Sequence, residues 1–202
     1  MKAAHVLQGW PASLTLIGVL ALPVSRQTLE THMATHMLLQ IPLLAIAGVL
    51  LAHAVAARLQ RMLESYDRHG LSGMLIVLFA SSYWMLPRAL DAVLASPVME
   101  LGKFCSLPLL VGLPLALSWQ RVGPIGRSFV LANVISMVAV AGWLYRQSPV
   151  RLCNYYLIDQ QVLLGDGLLA LALLLGLVCT ARAFIGSPSR ALDRAGAGAR
   201  VA

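Results

Sequence analysis

Charge is scarce in this sequence: Asp, Glu, Lys and Arg make up 11% of 202 residues, and only 8 residues are acidic. So little charge cannot solvate the surface of an ordinary soluble domain. Cysteine is nearly missing too, and Cys105, Cys153 and Cys179 form no CxxC or other paired spacing. Neither a disulfide framework nor a thiolate metal site is indicated, and single cysteines in apolar runs are packing residues. Also lacking are a Ser-His-Asp or Cys-His arrangement, a phosphate-binding glycine loop and a zinc-hydrolase spacing, so an enzyme is not expected. The formal charge of +7 comes from basic residues scattered between apolar runs. Without a basic patch interleaved with aromatics, no nucleic-acid partner is expected.

What the chain does have is apolar length. Hydrophobic residues account for 59% of it, and the mean hydropathy is strongly positive. A membrane-spanning helix needs about 20 mostly apolar residues. The runs predict an all-α fold, a polytopic membrane helical bundle of about six transmembrane helices in one domain over 1–185. The helices are expected at about 6–24, 32–57, 71–94, 98–119, 128–145 and 162–184, with a disordered cytoplasmic tail over 186–202. The first run follows the signal-peptide pattern poorly and reads as a retained helix. Pro42 is expected to kink the second helix, and the charged segment 58–69 must lie outside the bilayer.

Basic residues set the orientation. One side of a six-helix arrangement holds Lys2, Arg58, Arg61, Arg68, Arg121, Arg127, Arg182, Arg190, Arg194 and Arg200, and the other holds Arg26, Arg88, Lys103, Arg146 and Arg151. The excess marks the cytoplasmic side, so both termini are expected in the cytoplasm of a multi-pass protein of the bacterial inner membrane, in contact with lipid. His53 and His69 then fall toward the cytoplasm. His32 and His36, Met85 and Asp91, Met99, Glu100 and Lys103, and Asp159 to Gln161 all fall at the outer ends of helices.

Polar groups clustered near a bilayer mark a candidate functional site. His32 and His36 are about one helical turn apart, which puts both imidazoles on one helix face, with Gln40 a turn further on. Met33 and Met37 lie beside them. Imidazole nitrogens and thioether sulfurs form a soft-to-borderline donor set, suited to copper. The candidate metal residues are therefore His32, His36, Met33, Met37, Met85 and Met99, with Gln40, Asp91, Glu100, Lys103, Asp159, Gln160 and Asp166 around them. Glu100 and Lys103, three residues apart, are expected to pair, and Arg88 is a candidate partner for Asp91. Asp159 also suits a helix cap, and Asp166, about two turns deeper, is expected to face a polar interior.

His-Met-x-x-His followed by Leu-Leu-Gln-x-Pro-Leu-Leu (His32 to Leu44), then Trp84-Met85-Leu86-Pro87 with Asp91, and finally Asp159-Gln160-Gln161 occur in that order. The ordered set resembles the CtaG-type family of cytochrome c oxidase assembly factors. The resemblance implies a polytopic bacterial membrane protein that helps mature a copper-containing terminal oxidase, handling copper at the outer face. Its partner would be an oxidase subunit or a copper-carrying protein. Two departures mark a divergent member. Met85 stands where the family has a histidine, and Glu100 is followed by Lys103 where the family has a Glu-His pair. A thioether still suits Cu(I), but an ammonium opposes a cation. The alternatives are a metal-free membrane scaffold or accessory subunit of a respiratory complex, and a b-type haem protein. The haem reading requires axial histidines from opposite faces, whereas His32 and His36 are expected to share one.

Overall fold

The structure, a computed structural model, describes residues 2–53, 61–62 and 65–185. Residues 58–60, 63 and 64 of the charged segment 58–69, and the expected tail over 186–202, lie outside the described residues. Among the described residues the chain is all α, without strands. We number its helices α1 (Lys2–Ala21), α2 (Pro23–Glu30), α3 (Met33–Ala52), α4 (Leu71–Trp84), α5 (Pro87–Ala95), α6 (Pro97–Ser118), α7 (Pro124–Gln147) and α8 (Ile158–Ile185). Helices α3, α6, α7 and α8 are each long and apolar enough to cross a membrane, and the bent pairs α1–α2 and α4–α5 raise the number to six if each pair is one span. Large apolar side chains such as Phe79, Phe129, Leu173 and Phe184 lie on the outside of the bundle. This is a multi-pass membrane protein, and its outer surface is the one expected to meet lipid.

Proline makes the breaks. The residue before a proline is pushed out of the α region, and proline itself is favoured at the first helical position. Leu22, Leu86 and Ser96 precede Pro23, Pro87 and Pro97 and have ψ of 137°, 133° and 122°. The chain bends by 66° between α1 and α2 and by 70° between α4 and α5. Two expectations are corrected here. The run over 71–94 is not one helix but α4 and α5, and Arg26, which falls between the expected helices at 6–24 and 32–57, lies in α2. Helix α2 carries Glu30 at its last position.

Two further prolines widen their helices. Proline has no N–H for the carbonyl four residues back, and its ring crowds that carbonyl. Ahead of Pro42, residues His36–Gln40 form a π-helical turn, closed by the Ile41 N–H on the His36 carbonyl. Leu107–Gly112, ahead of Pro114, does the same, with the Leu113 N–H on the Pro108 carbonyl. Such turns recur at functional sites. The expected kink at Pro42 is thus a widened turn, not a break.

Helices α3 and α6 cross closely enough to exclude side chains. A Cβ on Gly48 would sit 2.1 Å from the Pro108 oxygen, and one on Gly112 would sit 2.0 Å from the Ala45 oxygen. Small residues permit this approach between membrane helices. Ser13 Oγ donates to the Ala47 carbonyl at 2.8 Å and ties α1 to the same crossing. Helices α7 and α8 form the most extensive pair. One apolar cluster (Met33, Met37, Leu90, Tyr145, Leu164, Leu168 among others) joins that pair to the start of α3 and to α5. The segment from 148 to 157 joins α7 to α8 at the same end of the bundle.

Candidate functional site

The bend between α1 and α2 turns α2 so that Arg26 and Glu30 face the start of α6. Arg26 pairs with Glu100, and Lys103 Nζ lies 2.7 Å from Glu30 Oε1. Lys103 is fully buried. A buried charge is tolerated when it is paired and hydrogen-bonded. Here Nζ meets three acceptors: Glu30 Oε1, Gln40 Oε1 at 3.0 Å and His36 Nε2 at 3.2 Å. An ammonium has three N–H donors. All three are used, and the ring of Phe104 adds a face 5.1 Å away.

The direction of the His36 hydrogen bonds follows from one atom. Tyr156 Oη lies 3.0 Å from the Glu30 carbonyl oxygen, which can only accept, so the phenol donates there. The phenolic oxygen then accepts from His36 Nδ1, 2.9 Å away, which fixes the proton on Nδ1. Nε2 keeps its lone pair, and Lys103 donates to it. Gln40 is oriented by the same logic: its oxygen faces the ammonium and its nitrogen donates to Glu30 Oε1 at 3.1 Å. His36 is therefore a neutral imidazole in a run of hydrogen bonds from Lys103 through Tyr156. The run ends on a backbone carbonyl, which cannot pass a proton onward.

The 148–157 segment that delivers Tyr156 is fastened from both sides. Asp91 accepts from the Asn154 backbone N–H at 2.8 Å and from its side-chain amide at 2.9 Å. From α8, Gln161 Oε1 accepts the Leu152 N–H at 2.8 Å while Nε2 donates to the Tyr145 carbonyl at 3.1 Å. Arg151 donates to the Tyr156 carbonyl at 3.1 Å. Within this segment burial pushes the Cys153 thiol up to about 12, with the Asp91 charge adding to it, and burial also raises the Tyr156 phenol.

Of the residues singled out in the sequence, the structure brings His36, Gln40 and Lys103 into one cage and leaves His32 out. His32 has an extended backbone at the head of α3, so helical phase does not carry over from His36 to it. It is exposed, and its Nδ1 accepts from Gln160 at 3.3 Å. Met33 and Met37 are buried in the apolar cluster, Met85 packs against that cluster, and Met99 is half-buried at the start of α6. Asp159 is exposed in the first turn of α8, where a carboxylate suits the helix dipole.

Three pairings are corrected. Glu100 and Lys103 do not pair with each other, because α2 offers each an opposite charge across the helix interface. Asp91 is taken by the amides of Asn154, not by Arg88. Asp166 does not face a polar interior: it is half-exposed and pairs with Arg146 at 2.9 Å. Glu30, Arg26 and Tyr156 were missed. Glu30 was legible only as the one acidic residue between Arg26 and His32, and nothing local in the sequence points Tyr156 at His36.

A copper ion held by His32 and His36 does not fit this arrangement. Both ring nitrogens of His36 are engaged, an ammonium stands beside Nε2, and His32 lies outside the cage with its Nδ1 on Gln160. Among the described residues, no three His, Cys, Asp or Glu side chains converge on a point. A scan against protein-family models and searches of curated proteins and of solved structures return no match to the chain.

Proposed function

We propose that this chain is a metal-free membrane scaffold or accessory protein in the biogenesis of a respiratory oxidase, with its caged polar layer at the outer face of a bacterial cytoplasmic membrane. One observation carries the metal-free half of this reading: the Lys103 ammonium occupies the point on which Glu30, Gln40 and His36 converge. The oxidase half rests on the ordered motifs that resemble the CtaG-type assembly factors. Those motif residues act here as fasteners. Pro87 sets the bend after Trp84, Asp91 and Gln161 hold the 148–157 segment, and His36 receives Tyr156 from it. A framework of this kind presents a fixed polar surface to a partner, for which an oxidase subunit is the candidate.

The test is deletion of the gene and spectroscopic measurement of assembled oxidase in membranes. Loss of the oxidase signal is expected. Restoration should be equal with the wild type and with His32→Ala or Met85→Leu, since neither residue enters the cage. Unchanged oxidase after deletion would sink the reading. So would stoichiometric copper in the purified wild type that disappears with His32→Ala, which would favour copper delivery instead.

A further inference from the structure

We infer that Glu30, Gln40 and His36 constitute a divalent-cation site that the chain keeps closed with its own lysine. The inference stands on the geometry of the cage and not on the oxidase reading. Three acceptors from two helices, a carboxylate oxygen, an amide oxygen and an imidazole nitrogen, surround one position at 2.7, 3.0 and 3.2 Å. Those are hydrogen-bond lengths to an ammonium. A bound metal draws its ligands to about 2.0–2.2 Å. The contraction would fall on the long side chains of Glu30 and Gln40 and on Glu30's place at the end of α2.

Two features go beyond a chance meeting of polar groups. His36 is held in the tautomer that a metal requires, since Tyr156 accepts from Nδ1 and leaves the Nε2 lone pair directed at the central position. A ligating histidine commonly has its other nitrogen fixed in this way. Gln40 is likewise locked, its nitrogen donating to Glu30 and its oxygen turned inward. Lys103, His36 and Gln40 are all buried and Glu30 is half-buried, so the cage is preformed and open to solvent only on the Glu30 side. Its N and O donors suit borderline divalent ions such as Co²⁺, Ni²⁺ or Zn²⁺, with water completing the shell, and not Cu(I), which prefers sulfur. In the native chain the ammonium takes the metal's place and cannot dissociate, so the cation of this site is covalently retained and chelators do not remove it.

The test uses the full-length protein in detergent, titrated with Co²⁺ and then challenged with Zn²⁺. Wild type should show no Co²⁺ ligand-field absorption. Lys103→Ala should bind one equivalent with a low-symmetry visible band that Zn²⁺ abolishes, and Lys103→Ala combined with Glu30→Gln or His36→Gln should lose it. Adding Tyr156→Phe to Lys103→Ala should weaken binding by about 10- to 100-fold. If Lys103→Ala does not fold, Lys103→His carries the same test, because it removes the ammonium and supplies another nitrogen. The inference is overturned if neither variant binds Co²⁺, if binding survives loss of Glu30 and of His36, or if wild type binds as tightly as Lys103→Ala. None of these outcomes depends on oxidase levels in cells.

Discussion

Replacing Lys103 by methionine tests the cage most directly. The two side chains are close in length and flexibility, so the loss is that of the charge and its three hydrogen bonds. Glu30 would keep a carboxylate facing an apolar group, and Gln40 Oε1 and His36 Nε2 would each lose a donor. Removing one partner of a buried pair strands the other, at a cost of about 3–5 kcal/mol. For a chain of this size each kcal/mol lowers the midpoint by about 2–4 °C, so the thermal transition in detergent should fall by about 6–20 °C. Glu30→Gln should cost a similar amount, because it strands the ammonium instead. The double variant should be much less than additive, with a coupling of about 2–3 kcal/mol, since neither charge is then left alone. A Lys103→Met midpoint within about 2 °C of wild type, or additivity within about 0.5 kcal/mol, would refute the reasoning.

Tyr156→Phe leaves the His36 Nδ1 proton and the Glu30 carbonyl without their partner and should destabilise by about 1–3 kcal/mol in the same melt; no shift would mean that the phenol is not part of the run of hydrogen bonds. Gly112→Ala drives a Cβ to 2.0 Å from the Ala45 oxygen and should cost about 1–3 kcal/mol or more, whereas Gly102→Ala on the same helix meets nothing within 4 Å and should be neutral or stabilising. Equal effects of the two glycine variants would argue against the close α3–α6 crossing. With its thiol raised to about 12, Cys153 stays protonated well above neutral pH. Mass spectrometry should find it unreactive toward a maleimide between pH 7 and 9 in the folded protein and reactive after denaturation. Rapid labelling at pH 7 would contradict its burial.

The breaks were partly legible. Pro23, Pro42, Pro87 and Pro97 are visible in the sequence, but whether a proline ends a helix, bends it or widens a turn depends on what packs against it. Before Pro42 and Pro114 the neighbouring helix holds the chain in line and the turn widens to π. At Leu86 the chain leaves α4 and turns through a large angle, which is why the run over 71–94 read as one span. Asp159 at a helix start and the gathering of polar residues at one end of the bundle were also visible, since spacing and charge asymmetry report local phase and orientation.

The sequence by itself determined that this is a multi-pass all-α membrane protein and that His36, Gln40 and Lys103 belong to one layer. Apolar run length and helical periodicity are properties of neighbours along the chain, so they can be read from it. Only the tertiary structure decided which charges meet. Spacing paired Glu100 with Lys103 and His32 with His36, because helix geometry relates residues three and four apart. The bend at Leu22–Pro23 instead brings Glu30 from α2 to Lys103, the extended backbone at His32 takes that ring elsewhere, and the 148–157 segment sets Tyr156 on His36. Burial then favours the arrangement in which every donor of the ammonium finds an acceptor, and that choice turns an expected metal site into a cage filled by the chain's own cation.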